Sequence, residues 1–189
     1  MKKVITKDEL KEVMVEAVNS LCDTVSSTIG PTGNNILINN SDQTPFITND
    51  GVTIASNIES DDKRINTVLE IVKEASLKTN ELVGDGTTTT LVLLQSIFNL
   101  GLEEINKGKN KILLKNELLD YSDIITKKIL KNKQEVSYDN LLNIALTSSN
   151  DLEIAKLSTE VFDKVNSKYS IKLEESLNDQ TYYEIKRGY

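Results

Sequence analysis

The amino-acid sequence predicts a mainly α-helical protein with one small β-hairpin in its N-terminal third. Apolar residues recur every three or four positions over most of the 189 residues, which is the spacing of amphipathic helices. Two short runs, "NILIN" and "QTPFITNDG", interrupt this pattern and are typical of strands. Glycine-bearing loops, "GPTGNN", "NDG" and "VGDG", separate the predicted elements.

The first helix is predicted from residue 6 to about residue 29. Thr6 and Glu9 fit a capping box at its start, and the Gly-Pro turn of residues 30–35 stops it. The two strands follow, with the turn between them at residues 39–43. "NDG" then closes the second strand and opens a short helix.

The rest of the chain is predicted to be mainly helical as far as about residue 165. One helix spans about residues 61–83, and the next, residues 91–102, is apolar on nearly every side, which predicts burial all round at the centre of a bundle. Further helices are expected at about 111–131, 138–146 and 151–165.

Beyond the fifth of these helices the sequence marks a boundary. Residues 131–140 are polar and break the apolar pattern, which makes them the best candidate for a domain boundary. Asn150 and Glu153 resemble a cap pair at the start of the last helix. The final stretch, "YSIKLEESLNDQTYYEIKRGY", alternates and is rich in β-formers, so we expect extended chain there.

Composition excludes several classes of function. The net charge of −7 argues against nucleic acid or an anionic membrane as a partner. The chain has no histidine and one cysteine, Cys22, which excludes Ser–His catalysis, internal disulfides and most zinc sites. No run approaches the roughly 18 apolar residues of a membrane span, and no apolar run suits a signal peptide. We therefore expect a cytoplasmic protein.

The segment "VGDGTTTTL" has two interpretations. Backbone amides at a helix start lack intrahelical partners and favour negative charge, and Gly84 and Gly86 allow a ligand to approach the backbone. The threonine hydroxyls that follow could bind phosphate oxygens, and Asp85 could bind the magnesium of a nucleotide. Capping of a buried helix by Asp85 or Thr87 explains the segment equally well.

The other two loops are less specific by themselves. "STIGPTGNN" is not a Walker motif, because no lysine and Ser/Thr follow its last glycine, and a helix stop is the simplest interpretation. Asp50 in "FITNDGVTIA" fits an ordinary Asn-Asp-Gly turn. Taken together, three glycine-bearing loops with two aspartates would suit a magnesium–nucleotide site.

"TIGPTGNN", "PFITNDGVTIA" and "VGDGTTTT", in this order and at these separations, resemble the N-terminal part of a group I chaperonin of the GroEL type. The resemblance extends from about Leu10 to Tyr189 and includes "TSSNDLEIAKLSTEVFDKV", which is similar to the intermediate-domain helices of that family. It implies that residues 1–132 form the N-terminal part of the helical equatorial, ATP-binding domain. Residues 133–189 would then be the first part of an α+β intermediate domain, ending at the entry of the apical domain.

The resemblance also implies a site for ATP and Mg²⁺. Asp85 would bind the magnesium, and Asp50 matches an acidic residue implicated in hydrolysis. The residues that would bind the cofactor are Thr28, Ile29, Gly30, Pro31, Asn49, Asp85, Gly86, Thr87, Thr88 and Thr89. The family usually has lysine where this chain has Thr32 and Asn49, and arginine where it has Asn34. We therefore expect weaker nucleotide binding than in a typical relative.

The function implied by the resemblance is ATP-driven protein folding. Such chaperonins are stacked rings of identical subunits that enclose unfolded polypeptide clients under a co-chaperonin lid. The chain ends before the apical domain and the returning half of the equatorial domain, so we expect it neither to hydrolyse ATP efficiently nor to build the ring alone. The alternative is a truncated or split chaperonin fragment that acts as a non-hydrolysing interaction module.

Overall fold

Seven helices and a two-stranded antiparallel sheet make up the regular structure of the described residues in the computed structural model. The structure describes residues 6–30, 32–39, 44–165, 171–174, 176 and 180–186, with the backbone alone at 138 and 139. The elements are α1 (Lys7–Ser26), β1 (Ile36–Ile38), β2 (Phe46–Thr48), α2 (Gly51–Asn57), α3 (Lys63–Val83), α4 (Thr87–Asn106), α5 (Lys111–Asn132), α6 (Tyr138–Ser149) and α7 (Leu152–Val165). The predicted mainly α-helical class with a small hairpin is confirmed.

The chain divides into two compact units, residues 1–120 and 121–189, and the division falls within α5. The domain ranges predicted from the sequence, 1–132 and 133–189, stay a prediction. No residue of α5 is buried. In the part of the chain that the structure describes, no helix combines the length and the apolar character needed to cross a membrane.

The hydrophobic core of the first unit lies where α1, α3 and α4 meet. Each helix contributes one fully buried leucine: Leu21, Leu69 and Leu91. A buried side chain of this size stabilises the fold by roughly 1.5–3 kcal/mol. The short helix α2 and the hairpin add to the same core through Ile54 and Ile38.

Polar contacts fix the direction and register of α4 along α1. Lys11 Nζ donates to Asn106 Oδ1 at 2.7 Å near one end, and Gln95 Nε2 donates to Asp23 Oδ1 at 2.7 Å near the other. Between them, the Asn19 Oδ1 atom accepts from both Gln95 and Asn99. The two helices therefore run antiparallel, and the C-terminal end of α1 lies beside the N-terminal end of α4.

The capping box predicted at the start of α1 is not formed. Thr6 is the N-cap residue, but its side chain makes no capping hydrogen bond. Glu9 instead forms an ion pair with the Arg64 guanidinium, which also binds Asp62 at the start of α3. The capping box would have paired the Glu9 carboxylate with the backbone amide of Thr6. The carboxylate binds Arg64 of α3 instead, because an ion pair with hydrogen bonds is the stronger interaction.

The hairpin pairs Ile36 with Thr48, Leu37 with Ile47 and Ile38 with Phe46. Of the turn predicted at residues 39–43, residues 40–43 lie outside the described part of the chain. The side chain of Ile38 is buried and those of Leu37 and Ile47 are exposed, as expected when successive residues of a strand point to opposite faces.

The prediction that α4 is buried all round is wrong. Thr87 and Leu91 are its buried residues, while Leu93, Ile97 and Leu100 each expose more than half of their surface. The helix packs against α1, α2 and α3, and the three exposed residues lie outside these contacts. An all-round apolar pattern indicates what a helix can bury, and which faces it does bury depends on its neighbours.

In the second unit, α6 and α7 form a helical hairpin. Asn150 ends α6 in the left-handed conformation, with φ of 53°. The carboxylate Oδ1 of Asp151 then accepts hydrogen bonds from the Glu153 and Ile154 amides at 2.8 and 2.9 Å. The predicted Asn150–Glu153 cap pair is therefore wrong by one residue, because Asn150 serves the preceding helix. Described residues beyond 170 carry neither helix nor strand, and residues 187–189, the "RGY" of the resemblance, lie outside them.

The Cys22 thiol is expected to be unreactive in the folded chain. Its side chain is fully buried, and burial together with the negative charge of Asp23 raises the pKa of the thiol to about 11. We expect a thiol-specific disulfide reagent to leave the native chain unmodified at about pH 8, and to react fully after denaturation, because only the unfolded thiol ionises there. Absorbance of the released reagent measures this.

The same shift links stability to pH. A thiol whose pKa is higher in the folded than in the unfolded chain stabilises the fold fully below its unfolded pKa, about 8.5, and loses that contribution as the pH rises towards 11. Urea midpoints that fall over this range in the wild type, and fall less in Cys22→Ala, are the expected result. Rapid labelling of Cys22 in the native chain at about pH 8 would contradict the burial on which both expectations rest.

Candidate functional site

Three loops of the first unit adjoin helix ends that are in contact with one another. The first loop, residues 27–35, follows α1; the second, residues 49–51, precedes α2; the third, residues 84–86, joins α3 to α4. A Cβ atom at Gly51 would overlap the Thr88 hydroxyl and lie 3.3 Å from the Val25 side chain. The start of α2, the start of α4 and the end of α1 are therefore in direct contact, and a glycine allows that approach.

The N-terminal end of α4 has no side-chain cap. Its N-cap residue is Gly86, in the left-handed conformation with φ of 78°, and Gly84, with φ of 75°, ends α3 in the same conformation. Glycine adopts such angles at no steric cost. The capping alternative for Asp85 or Thr87 is thus not what the structure shows, and the first-turn amides of α4 have neither an intrahelical nor a side-chain acceptor.

Asp85 lies between these two glycines with an exposed carboxylate. Its Oδ1 atom accepts a hydrogen bond from the Gly86 amide at 2.6 Å. No other hydrogen bond or ion pair holds this side chain among the described residues. The carboxylate therefore stands next to the amides of α4 and is free to take a cation.

The four threonines that follow the third loop differ in what they contact. Thr87 is buried, Thr88 is half-buried against Gly51, and Thr89 is exposed. The hydroxyl of Thr90 donates to the Gly86 carbonyl at 2.9 Å and lies 3.2 Å from the Thr79 hydroxyl on α3. Thr90 thus holds the loop, a role that the sequence pattern did not indicate.

The first loop is held in place by local hydrogen bonds to backbone carbonyls. Thr28 Oγ1 donates to the Val25 carbonyl at 2.8 Å, and the Asn34 amide donates to the Ser27 carbonyl at 2.9 Å. Gly30 has φ of 87°, and its carbonyl accepts from the Gly33 amide at 3.0 Å. Ile29 is exposed at the surface of this loop. Pro31 lies outside the described residues, so its predicted role has no structural account.

Asp50 is the N-cap residue of α2. Its Oδ2 atom accepts from the Thr53 amide at 2.8 Å and from the Thr53 hydroxyl at 2.6 Å. The neighbouring Asn49 is exposed. Asp50 is therefore a capping residue whose carboxylate has a fixed orientation, and it adjoins Gly51, which approaches Thr88 at the start of α4.

The electrostatics of the site are set by backbone amides and two carboxylates. The sequence of the three loops contains no lysine or arginine. Within the described residues no group of three or more Asp, Glu or Cys side chains could hold a metal by itself. A cation here would take Asp85 and draw its remaining ligands from an anionic partner or from water, which is how Mg²⁺ is usually bound with phosphates.

Both the sequence and the fold are similar to those of known proteins. A model of the TCP-1/cpn60 chaperonin family matches residues 21–178. Two crystal structures of the chaperonin gp146 from the bacteriophage EL 2 (Pseudomonas aeruginosa), both in the presence of ATP-BeFx, are similar to this chain with 28% and 29% identity and TM-scores of 0.74 and 0.75. They match over 92% and 94% of this chain and 31% and 32% of theirs.

A group III chaperonin in the open state is also similar. Its sequence is 26% identical, the TM-score is 0.67, and the match covers 85% of this chain and 32% of that one. The chain therefore spans about a third of the length of the solved structures it matches.

Proposed function

The chain belongs to the TCP-1/cpn60 chaperonin family, and from this premise we propose that it is the nucleotide-binding part of a chaperonin subunit. The observation that carries the proposal is the contact, at the uncapped N-terminal end of α4, of the helix ends that adjoin three glycine-bearing loops. Free amides at a helix start, with the helix dipole behind them, favour phosphate. The group I type rests on the loop motifs, and a group III chaperonin is among the similar structures.

The residues present fit ATP with magnesium. Asp85 would hold the cation, because its exposed carboxylate lies beside amides that would take the phosphates. Thr87, Thr88 and Thr89 would contribute those amides and their hydroxyls. The remaining nucleotide contacts are proposed for the first and second loops, at Thr28, Ile29, Gly30, Pro31 and Asn49. That gp146 was crystallised in the presence of ATP-BeFx supports this assignment.

Asp50 would act on the water that attacks the terminal phosphate. Its Oδ2 is occupied by the two hydrogen bonds from Thr53, which fix the carboxylate and leave Oδ1 to accept from a water molecule. When bound, magnesium would stabilise the negative charge of the phosphates. Protein folding in stacked rings of identical subunits, with a co-chaperonin lid and unfolded polypeptide clients in the cytoplasm, is proposed for the whole protein.

Replacing Asp85 by asparagine tests the proposed site. We expect the affinity for Mg–ATP to fall by about tenfold, the effect of losing one charged ligand, while the affinity for ATP in excess chelator does not fall, because without the metal the carboxylate only repels the phosphates. The urea midpoint is expected to stay constant, because the carboxylate bonds only to the adjacent amide. Isothermal titration calorimetry measures both affinities.

Asp61→Asn is the matched control, since Asp61 is another exposed aspartate near a helix start. It removes the same charge away from the three loops and is expected to bind Mg–ATP as the wild type does. Equal affinity in Asp85→Asn and the wild type would contradict the proposed magnesium ligand. A wild-type chain that binds no ATP would contradict the proposed function itself.

A basic residue restored at position 49 is expected to strengthen binding. Asn49 is exposed and stands where the family usually has lysine. Asn49→Lys adds one positive charge beside a polyanion, and an exposed charge pair contributes about 0.2–1 kcal/mol, so affinity for ATP should rise by up to about fivefold. Asn39→Lys, with the same charge at the other end of β1, is the control. No improvement at low ionic strength would count against the site.

The second candidate, a non-hydrolysing interaction module, is favoured by the exposed apolar side of α4 and by α5, which has no buried residue. Large exposed apolar surface marks a place where another polypeptide binds. A steady-state ATPase assay separates the candidates. Turnover by this chain that Asp50→Asn abolishes would support the enzyme, and ATP binding with no turnover would support the module.

A further inference from the structure

Lys73 on α3 is the one charged residue that is buried in the described part of the chain, with 5% of its surface accessible. Burying an ammonium group is costly unless hydrogen bonds and an opposite charge compensate it. The proposed nucleotide site makes no use of this side chain, and its position within the apolar face of α3, between Leu69 and Ser76, is not explained by the core.

The partners of Lys73 lie in two different elements. Its Nζ pairs with Glu70 Oε1 on the same helix at 3.1 Å and donates to the Ser56 carbonyl at 3.4 Å. Ser56 is in the last turn of α2, where carbonyls lack intrahelical donors and where the helix dipole favours a cation. Lys73 therefore caps the C-terminal end of α2 from another helix.

The opposite end of α2 carries the second loop. At 1.5 Å per residue, Ser56 lies only about 9 Å along the helix from Asp50. A seven-residue helix is too short to be stable by itself, so its place depends on tertiary contacts. The buried residues of α2 are Gly51, Ile54 and Ala55, and the contact of Lys73 with Ser56 adds a polar tie at its C-terminal end.

We propose that Lys73 is a positioning residue: by tying the end of α2 to α3 it holds Asp50 and Gly51 in place against α4. The nucleotide part of this inference rests on the proposed function, whereas the tether itself does not. Fixing α2 in the free chain means that binding of Mg–ATP need not order it, which strengthens binding.

Lys73→Met is the test, since methionine keeps the length and apolar packing of the side chain and removes the charge and the donors. We expect hydrogen exchange of the α2 amides, such as that of Ile54, which donates to Asp50 O at 2.9 Å, to accelerate by about tenfold relative to the α1 amides. Affinity for Mg–ATP is expected to fall by about tenfold as well.

Lys78→Met is the matched control, because Lys78 is on the same helix and pairs with Glu74 at 2.6 Å, but is exposed. It is expected to change neither readout. If Lys73→Met does not fold, Lys73→Gln, which is too short to reach the same carbonyl, takes its place with the same expectations.

Two results would overturn the inference. One is a uniform loss of protection over α1, α2 and α3, which would make Lys73 an ordinary contributor to stability. The other is faster hydrogen exchange confined to α2 with the affinity for Mg–ATP unchanged, which would mean that Lys73 does not affect the nucleotide site. If the wild type binds no ATP, the proposed function fails, and the exchange rates of α2 still decide whether Lys73 is its tether.

Discussion

Leu21→Ala is expected to destabilise the first unit by about 2–5 kcal/mol, more than any of the other substitutions proposed for this chain. Leu21 is fully buried on α1, in the core that α3 and α4 share. Truncation removes its apolar contacts with both neighbours and leaves a cavity that long helices, tied together by polar pairs, cannot easily fill. Urea unfolding followed by circular dichroism at 222 nm measures the loss.

Leu10→Ala on the same helix is the control. Leu10 is 40% exposed, so the same truncation there removes less buried surface and is expected to cost well under half as much. Equal losses for the two variants would mean that the core is not centred on the inner face of α1.

Gly51→Ala is expected to destabilise the chain by about 1–3 kcal/mol and to weaken Mg–ATP binding. The added methyl group would overlap the Thr88 hydroxyl and approach the Val25 side chain to 3.3 Å, so the start of α2 and the Thr88 side chain of α4 must move apart. That movement separates the second and third loops. Unfolding and calorimetric titration of the same samples measure the two effects.

A second substitution identifies the clash. Thr88→Ala removes the hydroxyl that the new methyl group would meet, so the stability lost in Gly51→Ala should be partly regained in the double variant. Gly101→Ala on α4 is the control, because a Cβ there would make only an ordinary contact, 3.9 Å from Leu114. It is expected to stabilise the helix by roughly 0.5–1 kcal/mol. A neutral Gly51→Ala would contradict the close approach of α2 and α4.

Local patterns predicted the elements well where one side of a helix faces a core. The periodic apolar residues of α1 and α3 predicted both helices, because Leu21, Leu69 and the other core residues of each helix follow one another at three- and four-residue spacing. Capping depended on partners that local patterns do not contain. Glu9 binds Arg64, 55 residues away, and Asp151 caps α7 because Asn150 already ends α6.

The candidate site was predictable as a set of loops, and its assembly was not. Glycines and aspartates mark the three loops in the sequence, but the contact of Gly51 with Thr88 depends on how α2 and α4 pack. Lys73 escaped prediction for a related reason. A lysine in an amphipathic pattern is assigned to the solvent face, and its burial here is compensated by Glu70 and by the carbonyl end of α2, which the local pattern does not show.

The polar pairs between α1 and α4 have a consequence for how the chain acquires its site. They join residues that are 72 to 95 positions apart, so the ends of a long segment must find each other before any of these bonds can form. Contacts of such separation slow folding. In a growing polypeptide the first loop emerges early but gains its partner only after α4 has been synthesised. Until then Asp50 and Asp85 belong to separate stretches of chain, and ATP has no assembled place to bind.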